Sequence, residues 1–337
     1  MSYGYMPYLL IRKKEMDFEN KPKMITFGPV PSRRLGHSLG INNIPPKNCS
    51  YSCIYCQLGN TLDMLVERKV FYKPEEILRE VKIRIKEARE KNEPIDYLTF
   101  VPDGEPTLDI NIGDTIEILK PLGIKIAVIS NASLIWNESV RNDLHGADLI
   151  SLKIDTVSES IWHRVDRPYK ALRLNSILQG ISEFSDNFNG SLITETMFIK
   201  GMNDSTKDIT SVADYIAGLM PAKSYISIPT RPPAEKWVNP ATESVINTAY
   251  QIFNDKLLKT EYLIGYEGNE FAFTGNVEED LLSITSVHPM REEAVKEFLN
   301  KAKTHWEVIE KLISENQLTE LNYRGKKFYL RKLIKRF

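Results

Sequence analysis

Residues 97–108, Tyr97-Leu98-Thr99-Phe100-Val101-Pro102-Asp103-Gly104-Glu105-Pro106-Thr107-Leu108, decide the fold of this chain. An apolar run of strand length stops at a proline and turns through an acid, a glycine and a second acid. The same sequence grammar recurs downstream. Ile124–Ser130 leads into Asn131-Ala132-Ser133, and Asp148–Ile154 carries Lys153 near its end with Asp155 just beyond it. The runs LTFV, IAVIS and LISLKI are apolar almost throughout, as parallel strands covered on both faces require. Leu39–Ile44, Leu192–Lys200, Lys223–Pro229 and Tyr262–Tyr266 complete the expected strands.

Segments of helical period separate these runs: Pro74–Glu90, Thr115–Leu122, Ser139–His145, Leu172–Phe184, Thr206–Leu219 and Thr242–Lys256. Such connections are the crossovers that parallel strands need. The expected class is therefore α/β, a layered or barrel arrangement, whose chemistry gathers at the C-terminal ends of the strands. The polar motifs fall at those ends.

Working outward from this core, residues 24–48, rich in Pro, Gly and Asn, read as an ordered loop near a ligand. Residues 1–24 read as a peripheral extension. After Gly275 the pattern changes to three short helical segments, Glu278–Ile284, Arg291–Ala302 and Trp306–Glu315. Two strands follow, Leu318–Tyr323 and Lys326–Leu330, around an Arg-Gly turn. Three helices and a hairpin suggest a winged helix. The expected division is thus 1–24, 25–275 and 276–337.

The 337 residues are 42% hydrophobic and carry 44 basic against 45 acidic side chains, so no whole-chain field selects nucleic acid or membrane. The N-terminal apolar stretch is too short for a signal core, and no run approaches the roughly 20 apolar residues of a membrane span. A cytoplasmic protein is expected. Its 3 cysteines lie together, in Cys49-Ser-Tyr-Ser-Cys53-Ile-Tyr-Cys56, just beyond the first expected strand.

That grouping is poor material for disulfides and good material for a metal. Thiolates bind iron–sulfur clusters, and an electron-carrying 4Fe-4S centre uses four of them. If the three cysteines share one cluster, one iron is left open to an exogenous ligand, as in an open catalytic metal site. A zinc site completed by a histidine such as His37 is the competing account, although zinc favours paired C-x2-C units.

The C-x3-C-x2-C spacing resembles that of the radical S-adenosylmethionine superfamily, and the strand-end motifs extend the resemblance. Asp103-Gly104-Glu105-Pro106 is similar to that family's Gly-Gly-Glu-Pro segment, with Asp103 in place of the first glycine. Ser130-Asn131-Ala132-Ser133 resembles its Thr-Asn-Gly segment. The resemblance implies a partial (β/α)6 TIM-like barrel, with Cys49, Cys53 and Cys56 binding one 4Fe-4S cluster. It also implies S-adenosylmethionine bound near Gly104, Glu105, Pro106, Asn131, Lys153, Asp155 and Glu195, and reductive cleavage of that cofactor to a 5'-deoxyadenosyl radical. Since no cysteine remains for a second cluster, an external electron donor of flavodoxin or ferredoxin type is expected.

Within the superfamily, Phe27-Gly28-Pro29-Val30-Pro31-Ser32-Arg33-Arg34-Leu35-Gly36, Glu195-Thr196-Met197 with Lys200-Gly201, and Ile228-Pro229-Thr230-Arg231-Pro232-Pro233-Ala234-Glu235 resemble a branch grouped with wyosine-tRNA synthases. The chain shows neither the flavodoxin-like domain of the eukaryotic synthases nor the extra cysteines of the archaeal ones, so their activity is not carried over.

Arg33 and Arg34 are candidates to hold a carboxylate or phosphate of the substrate, and Arg231, Glu235 and Trp237 to wall its cavity. Surface charge and loop stiffening are their plain alternatives. The last 21 residues carry 7 Lys/Arg against 1 acid, with Tyr323, Phe328 and Tyr329 interleaved, a composition that suits a nucleic-acid backbone or a solvated hairpin. Three functions follow in order: radical chemistry on RNA or another macromolecule, the same chemistry on a peptide or small metabolite, and a non-enzymatic iron–sulfur DNA-binding sensor.

Overall fold

The computed structural model describes residues 25–256, 259–265, 269 and 271–332. The expected extension 1–24, Tyr266 at the end of the last expected barrel strand, and residues 333–337 of the basic terminus lie outside them.

The described chain opens on β1 (Thr26–Ser32) and β2 (Gly36–Ile41), an antiparallel pair; Leu39–Ile41 of β2 fall in the expected first strand, whereas β1 stands where a loop was expected. The register shifts between Phe27 and Val30, so the intervening Gly28-Pro29 is accommodated without ending the pairing. Tertiary packing overrides the turn-rich composition, because Phe27 and Val30 join a core built from the distant C-terminus. Two-residue strands β3 (Asn48–Cys49) and β4 (Asp63–Met64) then pair across the cysteine loop.

Strands and helices alternate from there: α1 (Pro74–Glu90), β5 (Tyr97–Phe100), α2 (Ile112–Leu119), β6 (Lys125–Ser130), α3 (Glu138–Leu144), β7 (Leu149–Lys153), α4 (Glu159–Val165), α5 (Leu174–Asn187), β8 (Ser191–Met197), α6 (Thr206–Leu219), β9 (Lys223–Ser227), α7 (Glu243–Asp255) and β10 (Thr260–Leu263). The bounds expected for α1 and α6 are those observed. Ser205 caps α6 by accepting from the Asp208 amide at 3.2 Å. The seven-residue α4 was not anticipated, being too short to show a period; it holds Ile161, Trp162 and Val165 in the interior.

One sheet results, in the order β1-β2-β5-β6-β7-β8-β9-β10, parallel from β2 onward. Alternate residues divide between its faces. Leu39, Leu98, Ile126, Val128, Ile150 and Leu152 point outward into the main core with the helices. Ala127, Leu149, Ile193, Tyr225 and Leu263, drawn from β6 to β10, converge on Leu35 in the β1–β2 turn. The sheet therefore curls into a partial barrel, and Leu35 plugs its lumen. From the same turn Arg33 donates to the carbonyls of Tyr262 (3.4 Å) and Gly265 (3.1 Å) at the opposite sheet edge.

The C-terminal part comprises α8 (Val277–Val287), β11 (Met290–Arg291), α9 (Glu292–Lys301), α10 (Glu307–Ser314), β12 (Leu318–Tyr323) and β13 (Lys326–Arg331), with sheet order β11-β13-β12. Its core of Leu281, Ile284, Phe298, Ile309 and Leu312 takes in Phe27 and Val30 from the barrel edge. Gly40 makes this possible: a Cβ there would stand 2.0 Å from the Phe27 ring. Arg84 of α1 adds a bond to Thr274 (2.6 Å) and ion pairs to Glu279 (3.2 Å) and Asp280 (3.4 Å).

The hairpin differs from a nucleic-acid-binding wing in one respect. Phe328 and Tyr329 are buried among their own neighbours and present no stacking surface. Lys326 pairs with Glu293 (3.0 Å), distant in sequence on α9, and Lys327 with Glu320 (3.2 Å) of the hairpin itself, so part of the basic run is balanced.

Candidate active site

The cysteine segment leaves the C-terminal end of β2 and is held by its backbone. Cys49 O accepts from Leu65 N at 3.0 Å, Ser52 N donates to Asp166 O at 3.0 Å, and Ile54 N donates to Val165 O at 2.9 Å. Thus α4 serves as the loop's abutment. All three thiols line one cavity of about 320 Å³ at the strand ends. Asn131 Nδ2 lies 3.5 Å from Cys49 Sγ, and the Cys53 thiol donates to Asp166 Oδ1 at 3.4 Å.

Burial, with Glu105 close by, pushes the Cys49 thiol up to about 12. Burial and Asp166 push Cys53 well above the ordinary thiol range, and burial raises Cys56 against the opposing pull of Lys47. Iron binding must therefore displace protons from these thiols. Among the described residues no three His, Cys, Asp or Glu are gathered as a single ion would need. His37 is the second residue of β2, at the end of the strand remote from the cysteines, where Asp96 Oδ2 accepts from its backbone N–H at 2.7 Å. Among the described residues, His37 therefore does not complete a zinc site with the cysteines. A polynuclear cluster, in which each iron takes its own thiolate, suits three thiols around one cavity.

The next strand ends build the wall. Gly104 packs against the Asn48 carbonyl so closely that a Cβ would lie 1.9 Å from that oxygen, which fixes glycine here. Asp103, in place of the family's first glycine, is not among the residues with positive φ, so its side chain costs no backbone strain. Burial raises its carboxyl to about 6, opposed by Lys47.

Glu105 is 1% exposed and accepts from Thr107 N (3.1 Å), Thr107 Oγ1 (2.6 Å), Ser130 Oγ (2.8 Å) and Asn131 N (2.8 Å). It clamps the end of β5 to the end of β6. Asn131 continues the chain of contacts to Ser50 Oγ at 3.1 Å. Ala132, where the family pattern has glycine, adopts φ 64°, which accounts for that pattern.

The lumen behind this wall is charged. Glu195 on β8 accepts from Lys153 Nζ at 3.0 Å and from Arg34. Burial alone would raise its carboxyl, but Lys153 and Arg34 hold it down at about 2. Beside them the Tyr55 hydroxyl donates to Asp155 and lies 3.3 Å from Asp166 Oδ1, while Asp155 Oδ1 accepts Met197 N at 2.7 Å. Burial raises Asp155, opposed by Lys153, and raises Asp166 strongly, with Asp155 adding to it.

The structure brings Arg33, Arg34, Gly104, Glu105, Asn131, Lys153, Asp155, Glu195 and Arg231 to the same cavity as the cysteines. Glu235 and Trp237 are not there. Glu235 instead pairs with Arg167 at 2.5 Å, its backbone N–H bonds Ile54 O at 3.0 Å, and Trp237 points to solvent at 52% exposure. The Pro232-Pro233 segment carries both past the rim. Pro106 flanks the wall as the first residue of a short turn that Glu105 caps.

Sequence reasoning missed Lys47, Tyr55, Gln57 and Asp166. Adjacency to the cysteines was the available signal for the first three; Asp166 follows the unanticipated α4 and had none. Gln57, directly after Cys56, donates to Val287 O of α8 at 2.9 Å and accepts from Arg231 at 2.7 Å, and Arg231 also lies 2.9 Å from His288 Nε2. The C-terminal part is thereby seated on the cavity rim.

The family model described as the radical SAM superfamily matches residues 43–213. A UPF0026 protein of Methanocaldococcus jannaschii is 50% identical over 314 residues, 93% of this chain and 97% of the relative. A UPF0026 protein of Helicobacter pylori is 36% identical over 65% of this chain and 70% of its own. Among solved structures, a radical SAM methyltransferase from Sphaerobacter thermophilus shares the fold at TM-score 0.51 and 14% identity, over 67% of this chain and 66% of that one. With the three cysteines on one cavity at the strand ends of a partial barrel, the chain belongs to the radical SAM superfamily, enzymes that use a 4Fe-4S cluster and S-adenosylmethionine.

Proposed function

We propose that Cys49, Cys53 and Cys56 hold a single 4Fe-4S cluster and that the chain cleaves S-adenosylmethionine reductively to act on a small molecule or peptide taken into the lumen. The observation that carries this reading is the convergence of the three thiols with Gly104, Glu105, Asn131, Lys153, Asp155 and Glu195 on one cavity. When bound, cluster and cofactor supply the electron and the carbon–sulfur bond that it breaks.

The chain's own residues do the rest. Gly104 lets the β5 loop lie against Asn48 at the base of the cysteine loop, and Glu105 and Asn131 lock neighbouring strand ends so that the wall is preorganised. Glu105 and Asp155 give that wall carboxyl oxygens as hydrogen-bond acceptors for the ammonium of the cofactor. Lys153 and Arg34, which both pair with Glu195, supply the positive charge that suits a carboxylate. Leu35 closes the lumen floor and excludes water from below.

The small-substrate reading is favoured over RNA because the C-terminal part sits on the rim with Phe328 and Tyr329 buried and Tyr323 half-buried. Tyr323 OH, at the hairpin end, donates to Pro229 O at 3.1 Å. The order helix, strand, helix, helix, hairpin, with β13 central, supports a winged-helix-like module at 276–337 serving a core at 25–275 as architecture. The electron comes from outside, from a flavodoxin- or ferredoxin-type donor, because three cysteines serve one cluster only. The resemblance of the Pro-rich segments supports kinship with the wyosine-synthase branch without assigning that substrate.

The test is anaerobic reconstitution with dithionite and S-adenosylmethionine. Release of 5'-deoxyadenosine and methionine is expected. An intact cluster that releases neither, in a protein that binds DNA in a salt-sensitive way, would favour the sensor instead.

A further inference from the structure

We infer that Lys47 and Asp103 form a positioning pair that fixes the Cys56 flank of the cysteine loop and sets how readily a cluster there accepts an electron; this rests on the cysteine assignment above. Four observations carry it. Lys47 Nζ donates to Leu58 O and lies 3.4 Å from Gly59 O, and Gly59 N in turn donates to Cys56 O at 3.0 Å. The ammonium thus holds the turn that Cys56 begins. Its counter-ion is Asp103 Oδ1 at 3.4 Å, with side chains 7% and 4% exposed, and the two residues are joined again by Lys47 N to Asp103 O at 2.6 Å.

Lys47 sits at φ 66°, a left-handed conformation in which glycine would be at no disadvantage. The side chain, not the backbone, must account for lysine here. Finally, Asp103 Oδ2 is buried without a hydrogen-bond partner among the described residues. A buried ion pair with an unsatisfied oxygen is no gain in stability over an apolar pair, so it calls for another explanation.

Charge fixed in a dry site acts on a neighbouring cluster. A cation stabilises its more negative, reduced form, and an anion opposes this. Lys47 and Asp103 should therefore move the potential in opposite senses, which a merely structural pair would not do.

The experiment reconstitutes the full chain as wild type, Lys47→Met, Lys47→Arg and Asp103→Asn, counts iron, and titrates the cluster midpoint by electron paramagnetic resonance. Asp103→Asn keeps the bonds of Lys47 to the loop carbonyls and is expected to shift the midpoint positive. Lys47→Met is expected to shift it negative and to lower iron retention, and Lys47→Arg to restore both. Unchanged midpoints in fully loaded variants, or shifts of the same sign for Met and Asn, overturn the inference. If Lys47→Met binds no cluster, the positioning half is supported and the Arg and Asn variants decide the rest. A wild type that binds no iron removes the cysteine assignment and this inference together, whereas normal iron with static potentials removes only the inference.

Discussion

The barrel lumen and the C-terminal hairpin carry the same kinds of charged residue and dispose of them in opposite ways. In the lumen, Glu195 meets Lys153 and Arg34 at side-chain exposures of 14%, 23% and 16%, and its carboxyl is driven far from the ordinary range. On the hairpin, Lys326 and Glu293 pair at about half exposure, where water screens the interaction. The run of seven basic residues was conspicuous in sequence, yet the lone Glu195 matters more to the site. Burial, which composition does not report, converts a charge into a constraint.

The largest effect that sharpens this contrast is at the thiols. Replacing Cys49, Cys53 or Cys56 by alanine should reduce iron from about four per chain to a small residue and abolish formation of 5'-deoxyadenosine, read by iron analysis and chromatography. About eight irons in the wild type would break the single-cluster account.

Next comes the joint between the two regions. Phe27→Ala removes a ring packed on Gly40 and in the C-terminal core, and should destabilise the protein by about 3–5 kcal/mol in denaturant unfolding. A loss below about 1 kcal/mol would show that the C-terminal part docks without this residue.

Glu195→Gln leaves Lys153 and Arg34 facing each other in the lumen and should cost about 3 kcal/mol. The pH dependence has a definite sign. The folded carboxyl lies at about 2 against an ordinary 4.5, so its contribution is complete above pH 4.5 and disappears as the pH falls toward 2. That contribution is about 3 kcal/mol by linkage. Wild type and Glu195→Gln should therefore converge in stability in acid, and a constant gap from neutral pH to pH 2 would remove the ion pair as its cause.

The smallest effect belongs to the hairpin. Lys326→Ala should change stability by less than about 1 kcal/mol and leave cofactor cleavage at the wild-type rate. A rate loss there would return the basic run to the functional site and reopen the macromolecular reading.

Much of the site was legible because local chemistry dictated it. The spacing of Cys49, Cys53 and Cys56 pointed to the metal chemistry, and the apolar runs ending in Gly104-Glu105-Pro106, Asn131 and Lys153 gave parallel strands with their polar ends. Helices α1 and α6 declared themselves through fourteen or more residues of regular period. What failed was long-range. The strand at Phe27–Val30 looked like a loop because its partner core begins more than 200 residues later.

Glu235 and Trp237 looked like cavity residues because they follow a strand end, but the chain path after Pro232-Pro233 directs them elsewhere. Asp166 could not be found at all, since only the docking of α4 against the cysteine loop brings it to Cys53.

The sequence by itself thus determined the cysteine count, the strand-and-crossover order and the polar strand ends, all properties of short segments with their own periodicity and chemistry. Only the tertiary structure decided which charges are buried together. Leu35 as the lumen plug, Lys47 against Asp103, and Glu195 between Lys153 and Arg34 depend on curling the sheet until distant strands face one another. The dielectric surroundings that give those pairs their effect exist only after that closure.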